Sequence, residues 1–158
     1  MSRSWHRCGP VGSWRTGGLA ALASVMLLVA GCGDDPGSVY RDSAVRALEG
    51  SLSEARTAEL AASLWVAGRS AHSFAVVVVD DSDTGLGADA AWFEEQQPPR
   101  RVDDLVRRQT TDALDAAASS VQWLRISVAR QDLRGTRAAL EDVRSACSDL
   151  EALAEELS

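Results

Sequence analysis

The chain has 158 residues, enough for one modest domain built around a single hydrophobic core. Its 23 acidic residues outnumber its 16 basic residues, and every basic residue is Arg because the sequence contains no Lys. The formal net charge of -7 disfavours binding to nucleic acid, which attracts proteins through Lys and Arg.

The first 31 residues have the organisation of an export signal. Residues 1–18 contain three Arg and no acidic residue, and an uncharged apolar run follows from Leu19 to Ala30. As a helix, this run would be about 18 Å long, which is short of the roughly 30 Å of bilayer hydrocarbon. We therefore predict a signal peptide over residues 1–31 rather than a permanent membrane span.

Small residues precede a cysteine at the end of this segment, in the order Leu28-Val29-Ala30-Gly31-Cys32. This sequence resembles the lipobox of bacterial lipoproteins. The resemblance implies that a diacylglyceryl group, with acyl chains such as palmitate, is attached to the Cys32 sulfur and that the signal is cut before this residue. It also implies a protein anchored by lipid at the extracytoplasmic face of the cell membrane. Two acyl chains give stable anchoring, so Cys32 alone would be a sufficient anchor.

Cleavage before Cys32 would change both the charge and the cysteine content. Removing three of 16 Arg leaves 13 against 23 acidic residues, a formal charge of -10. This charge disfavours binding to nucleic acid and to anionic lipid surfaces, because both attract proteins through Lys and Arg. Only Cys147 would keep a free thiol, so we predict no intramolecular disulfide. Cys147 lies on an apolar stripe with spacings of three and four, and we expect it in the core. Residues 32–37 contain Gly, Asp and Pro and are predicted to be the acylated residue and a flexible leash.

Residues 38–158 are rich in Ala, Leu, Arg, Glu and Asp, a composition that favours helices. We predict four helices, over residues 39–67, 70–96, 101–130 and 133–157. Similar helix lengths and short connections are typical of an all-α fold, the antiparallel up-down-up-down four-helix bundle.

Capping residues and prolines define the predicted helix ends. Ser38 is expected to cap the first helix and Gly68 to end it. Pro98 and Pro99 separate the second and third helices, because the residue before a proline avoids the helical conformation. Asp132 is expected to cap the fourth helix.

The second helix has the least regular sequence. The β-branched run Val76–Val79 favours a strand, and the segment Thr84–Gly87 contains two glycines. No other stretch of residues 38–158 resembles a strand, and an isolated strand would leave its backbone groups unpaired. We therefore predict a helix imposed by packing, with a bend or an interruption near Gly85 as an open alternative.

Apolar positions and large aromatic side chains identify the expected core. The stripe of the third helix comprises Leu114, Ala117, Val121, Leu124 and Val128. Trp65, Trp92 and Trp123 fall in three different helices. We expect these tryptophans to fill the space that so many alanines leave between the helices.

An acidic run follows the four valines, and we interpret it as a solvated turn or helix face. Loose cation binding by Asp80, Asp81 and Asp83 is the alternative, because carboxylates are hard oxygen ligands. A calcium loop beginning at Asp80 would need Glu at its twelfth position, where the chain has Ala91. The one His after residue 31, His72, is expected at the surface; a di-metal bundle site would need two Glu-x-x-His pairs. We predict no metal and no other cofactor.

Residues 38–158 contain one basic cluster, which precedes and begins the third helix. Its members are Arg100, Arg101, Arg107 and Arg108. Local pairing with Glu94 and Glu95, across the proline corner, is one interpretation, and such exposed pairs contribute little to stability. The other interpretation is a docking patch for an acidic partner or wall polymer, because clusters of like charge steer association.

An acylated cysteine, a short acidic leash and an Ala-rich bundle together resemble the small uncharacterised lipoproteins of actinobacterial type, a resemblance that implies no assigned activity. No catalytic constellation is recognisable, so we expect a non-catalytic interaction or structural module, not an enzyme. Its expected partners are the membrane, through the lipid on Cys32, and an envelope protein, but no nucleic acid. The alternative is a small-ligand or metal-binding lipoprotein that serves a transporter. Such a ligand would lie in the bundle core or in the groove between the second and third helices. The small side chains that would leave room for it between helices include Ala113, Ala116, Ala117 and Ala118.

Overall fold

The structure is a computed structural model that describes residues 35–158. Its elements, in chain order, are α1 (Pro36–Val66), α2 (His72–Glu94), the 3₁₀ turn Arg101–Asp103, α3 (Asp104–Ala129) and α4 (Leu133–Leu157). Residues 35–158 contain no strand. Each helix packs against the next, and α4 packs against α1. The predicted all-α four-helix bundle is therefore confirmed, and none of the four helices is long and apolar enough to cross a membrane.

Helix α1 begins at Pro36, two residues inside the segment predicted as a flexible leash. Proline is favoured in the first turn of a helix, because its φ suits the helix and its missing N–H would have no intrahelical acceptor there. Asp35 therefore takes the N-cap position that the sequence assigned to Ser38, and the Ser38 hydroxyl donates a hydrogen bond to the Asp35 carbonyl (2.8 Å). Gly37 is buried, so this end of the leash is part of the bundle.

The C-terminal end of α1 has the geometry of a Schellman motif. Gly68 has a φ of 69°, in the left-handed region that a residue without a Cβ adopts easily. The backbone N–H of Arg69 donates to the Leu64 carbonyl (2.8 Å), which satisfies a carbonyl that has no partner within the helix. The predicted stop at Gly68 is confirmed.

The turn between α3 and α4 also contains a residue in the left-handed conformation, but this residue is not a glycine. Gln131 follows α3 with a φ of 57°. Asp132 then caps α4, accepting hydrogen bonds from the backbone N–H groups of Arg134 (3.1 Å) and Gly135 (3.0 Å). Asp132 is thus the capping residue that the sequence predicts.

Helix α2 is continuous through Gly85, although it contains four consecutive valines and two glycines. One face of the helix is buried, and it comprises Ala75, Val79, Ser82, Leu86 and Phe93. Burial of this face stabilises a helix that its residues favour only weakly in isolation. The helix imposed by packing is confirmed, and the interruption near Gly85 does not occur.

The core combines apolar stripes from α3 and α4 with small side chains from α1. All five apolar core residues predicted for the third helix are buried. The buried residues of α1 between positions 44 and 62 are Ala44, Ala47, Leu48, Ser51, Ala55, Ala58, Ala61 and Ala62. Because most of these side chains are small, α1 approaches α2 closely and also contacts α3 across the bundle.

The predicted role of the tryptophans as core fillers is wrong for two of the three. Trp123 is 62% exposed, Trp92 is also exposed, and only Trp65 packs partly against the core. Trp123 lies one residue before the buried Leu124, and one residue corresponds to about 100° of rotation around a helix. The buried aromatic pair is Tyr40 and Phe93, whose ring centroids are 5.8 Å apart.

Candidate functional site

The four arginines of the predicted docking patch do not share one role. Arg100 is a structural residue: its Nε donates to Asp103 Oδ2 (3.0 Å), and its Nη1 lies 3.3 Å from Asp35 Oδ1. Its guanidinium also lies directly against Gly37, where a Cβ would have no room. Asp103 is only 2% exposed, and the hydrogen bond from Arg100 lowers the pKa of its carboxyl group. Arg100 therefore joins the start of α1 to the 3₁₀ turn.

Arg107 is the second structural member of the cluster. Its guanidinium donates to the backbone carbonyls of Glu94 (3.3 Å) and Gln96 (3.4 Å) at the end of α2. Carbonyl groups at the end of a helix have no N–H donor within the helix, so a side chain can donate to them. A cation there also stabilises the negative end of the helix dipole. The predicted side-chain pairing does not occur: within residues 35–158, neither Glu94 nor Glu95 forms a salt bridge.

Arg101 and Arg108 are exposed and form no salt bridge with any residue that the structure describes. Two exposed apolar residues lie between them in sequence, Val102 (73% exposed) and Leu105 (54% exposed). Arg101 and Val102 belong to the 3₁₀ turn and Leu105 and Arg108 to α3, and spacings of three and four bring Leu105 next to each of the other three. We call Arg101, Val102, Leu105 and Arg108 the α3 stripe; its two arginines are the members of the predicted patch that are free to contact a partner.

A pair of carboxyl groups at the α1–α2 contact was not predicted from the sequence. Asp89 of α2 lies over Gly50 of α1, where a Cβ would be 2.7 Å from its Oδ2. Glu54 of α1 lies over Gly85 of α2, where a Cβ would be 2.8 Å from its Cδ. Partial burial, together with the Glu54 charge, raises the pKa of Asp89 above its ordinary value of 3.8. The signal that would have located the pair is a glycine one turn before an acid in each of two adjacent helices.

The acidic run of α2 faces α3. Arg125 Nε lies 2.9 Å from Asp83 Oδ2, and Arg125 Nη1 lies 3.4 Å from Asp80 Oδ1. Asp81 is exposed on the same helix. The run is thus a helix face, partly neutralised by one arginine. Within residues 35–158, no group of three or more His, Cys, Asp or Glu side chains is arranged to hold a metal ion.

His72 and Cys147 are packed against the protein. His72 is half-buried, whereas the sequence predicted a surface position. The centroids of the His72 and Trp65 rings are 5.1 Å apart, and His72 Nε2 is 2.8 Å from the Val128 carbonyl oxygen. Because a carbonyl oxygen only accepts, Nε2 carries the proton, and His72 joins the start of α2 to the end of α3. Cys147 is 6% exposed, as predicted, and burial raises the pKa of its thiol.

A groove of about 290 Å³ lies between α3 and α4. It is lined by Ala116, Ser119, Ser120, Trp123, Asp142, Ser145, Ala146 and Asp149. Of the four alanines expected to leave room for a ligand, Ala116 lines this groove beside α4 and Ala117 is buried in the core. The sequence signal for this groove is Trp123, a large aromatic residue that lies outside the buried apolar positions of α3.

The predicted signal peptide and Cys32 lie outside the residues that the structure describes, so both stay predictions. Comparison of the chain with protein-family models, with curated proteins and with solved structures gives no match.

Proposed function

We propose that this protein is a membrane-tethered envelope lipoprotein whose four-helix bundle acts as a non-catalytic interaction or structural module. The observation that carries the proposal is the short sequence distance between the lipobox-like motif and the first helix of the bundle. Helix α1 begins at Pro36, only four residues after Cys32. A diacylated Cys32 would hold the folded bundle immediately at the extracytoplasmic face of the membrane.

Exposed side chains support an interaction role for the bundle. Trp123 projects beside an open groove of small and acidic residues. Tryptophan is enriched among residues that dominate binding energy at protein interfaces, where it supplies a large contact area with few rotatable bonds. We therefore assign the groove between α3 and α4 as the surface for an envelope protein partner.

The anchor is tested by expressing the full chain in a bacterium that processes lipoproteins. We expect a mature chain that begins at Cys32 with a diacylglyceryl adduct, observed by mass spectrometry, and recovery of this chain in the membrane fraction. Cys32→Ala should abolish the adduct and release the protein from the membrane. Cys147→Ala is the matched control, since it removes the other cysteine of the mature chain and should change neither readout. An unmodified chain that begins at Met1 would contradict the anchor.

The interaction role is tested by crosslinking in intact cells from a photoreactive residue at position 123. We expect one reproducible protein adduct, and its loss when Asp149, on the opposite side of the groove, is replaced by Arg. The same photoreactive residue at Leu133, an exposed apolar position at the start of α4, is the control. If position 123 crosslinks no protein, or the same proteins as position 133, the groove is not a partner surface. A small-molecule mass retained by the native chain would instead favour the ligand-binding alternative.

A further inference from the structure

We propose that the α3 stripe docks on the anionic phospholipid surface of the membrane, so that the bundle rests against the bilayer on its α3 side. This inference rests on the proposed function, because it assumes the lipid anchor at Cys32. It adds an orientation to the tether. It also assigns a role to the two arginines of the cluster that make no structural contact.

The first argument is where the described chain begins. Asp35 pairs with Arg100, and the Arg100 guanidinium lies against Gly37, so the start of α1 and the 3₁₀ turn before α3 lie at the same end of the bundle. Three peptide units join Cys32 to Asp35, which is at most about 11 Å of extended chain. An acylated Cys32 would therefore keep the α3 stripe close to the headgroups.

The second argument is the chemistry of the stripe. Val102 and Leu105 are the most exposed large apolar residues at this end of the bundle. Arg101 and Arg108 flank them, and neither forms a salt bridge with a described carboxylate. Apolar side chains flanked by cations suit the membrane interface, where the apolar groups enter the acyl boundary and the guanidinium groups meet lipid phosphates.

Most of the negative charge of the chain lies too far from the bilayer to oppose this contact, because repulsion by a charged surface falls off within a Debye length of about 8 Å. The charges that matter are those at the same end. Glu94 and Glu95 at the end of α2, and Glu155 and Glu156 near the end of α4, are exposed and would be repelled by anionic lipid. Two carboxylates also lie beside the stripe, the half-exposed Asp104 and the exposed Asp112. The favourable contact is therefore confined to the α3 side of the bundle, and tilting the bundle toward α3 moves the α4 end away from the surface.

Tethering explains how so small a surface can be effective. Two apolar side chains and two arginines would bind a bilayer only weakly from solution. Attachment through Cys32 makes the contact intramolecular, which raises the effective lipid concentration at the stripe. The stripe then sets the orientation of a protein that is already on the membrane.

The test uses the full lipidated chain with Cys147→Ala and a single added cysteine, labelled with a fluorophore that reports polarity. Leu105→Cys places the label in the α3 stripe, and Leu60→Cys is the control, at an exposed position about 36 Å along α1 from Pro36. The chain is reconstituted in vesicles that contain phosphatidylglycerol and, separately, in vesicles of phosphatidylcholine alone. We expect a blue shift at position 105 on the anionic vesicles, and none at position 60.

Charge removal then tests the arginines. Arg101→Gln with Arg108→Gln should reduce the ratio of docked to undocked protein by about tenfold or more. Arg134→Gln with Arg137→Gln removes the same charge at the opposite end of the bundle, where both arginines are exposed, and should leave the shift unchanged.

The experiment tests the lipid anchor and the docked orientation separately. Flotation of the protein with the vesicles and the mass of the Cys32 adduct show whether the chain is lipidated and anchored. A protein that floats but shows no shift at position 105 overturns the docking and leaves the anchor intact, whereas a chain without lipid that does not float overturns both. A shift that appears without vesicles and disappears on dilution would mean that a second copy of the chain covers the stripe, which also overturns the proposal.

Discussion

Asp89 of α2 lies so close to Gly50 of α1 that no side chain fits between them: a Cβ on Gly50 would be 2.7 Å from Asp89 Oδ2. An equivalent contact lies one turn away, where the acidic residue is Glu54 of α1 and the glycine is Gly85 of α2. Two carboxyl groups thus occupy a contact in which neutral groups would be expected. Burial and the neighbouring charge raise the pKa of Asp89, so its ionised form destabilises the fold.

Asp89→Asn should therefore stabilise the protein at neutral pH, by up to about 1 kcal/mol for so incompletely buried a group. Because the pKa of Asp89 is higher in the folded state, the destabilisation is absent below its ordinary value of 3.8. It grows as the pH rises from there through the raised folded pKa. Denaturant unfolding of the wild type and the variant should give curves that converge at low pH and separate toward pH 7. Asp115→Asn, at an exposed position of α3, should show no such separation.

Gly87→Ala should raise the free energy of unfolding by about 0.5–1 kcal/mol, because Ala favours the helix interior and nothing lies within 4 Å of a Cβ at this position. Gly50→Ala has the same intrinsic advantage but forces the Asp89 carboxyl group to move. We therefore expect it to stabilise the protein less than Gly87→Ala does. Equal gains in urea unfolding would contradict the close contact between Asp89 and Gly50.

Trp123→Ala should change the stability by less than about 0.5 kcal/mol, because most of the indole is in solvent. Leu124→Ala, at the next residue, removes a fully buried side chain and should cost about 2–5 kcal/mol. Thermal or urea unfolding distinguishes the two directly. A large loss on truncating Trp123 would mean that the indole packs in the core, as the sequence suggested.

Arg100→Gln should lower the melting temperature more than Arg101→Gln does, although the two arginines are adjacent in sequence. Arg100 lowers the pKa of the nearly buried Asp103, so the pair stabilises the fold above the ordinary carboxyl pKa of 3.8 and loses this effect as the pH falls through the folded pKa. The difference between the two variants should therefore be present at pH 7 and shrink under strongly acidic conditions. A constant difference across that range would exclude the Arg100–Asp103 ion pair as its cause.

Cys147 should react slowly with iodoacetamide in the native protein and quickly in denaturant. The thiol is buried and its pKa is raised, so little reactive thiolate is exposed in the folded state. Peptide mass mapping of the alkylated cysteine measures both rates. Covalent dimers linked through Cys147 in freshly purified protein would contradict this burial.

The fold was predictable because local signals agreed with one another along most of the chain. Asp132 offers a side-chain cap and Gly68 a left-handed helix stop. The buried apolar residues of α3, from Leu114 to Val128, recur with the helical period. These signals act within a few residues, so one sequence suffices to recognise them. The start of α1 was predicted too late, because the glycine and proline that favour a flexible segment also fit the first turn of a helix.

The sequence by itself determined the number and order of the helices, and it carries the lipobox-like motif that motivates the proposed anchor. Only the tertiary structure decided which of several similar residues face a neighbour. Arg100 and Arg107 bind the bundle together while Arg101 and Arg108 stay free, and Trp123 points outward while Phe93 is buried. The physical reason is that helix formation depends on contacts within a few residues. The direction of a side chain relative to another helix depends on the rotation and depth at which two helices pack, and many distant residues set these together.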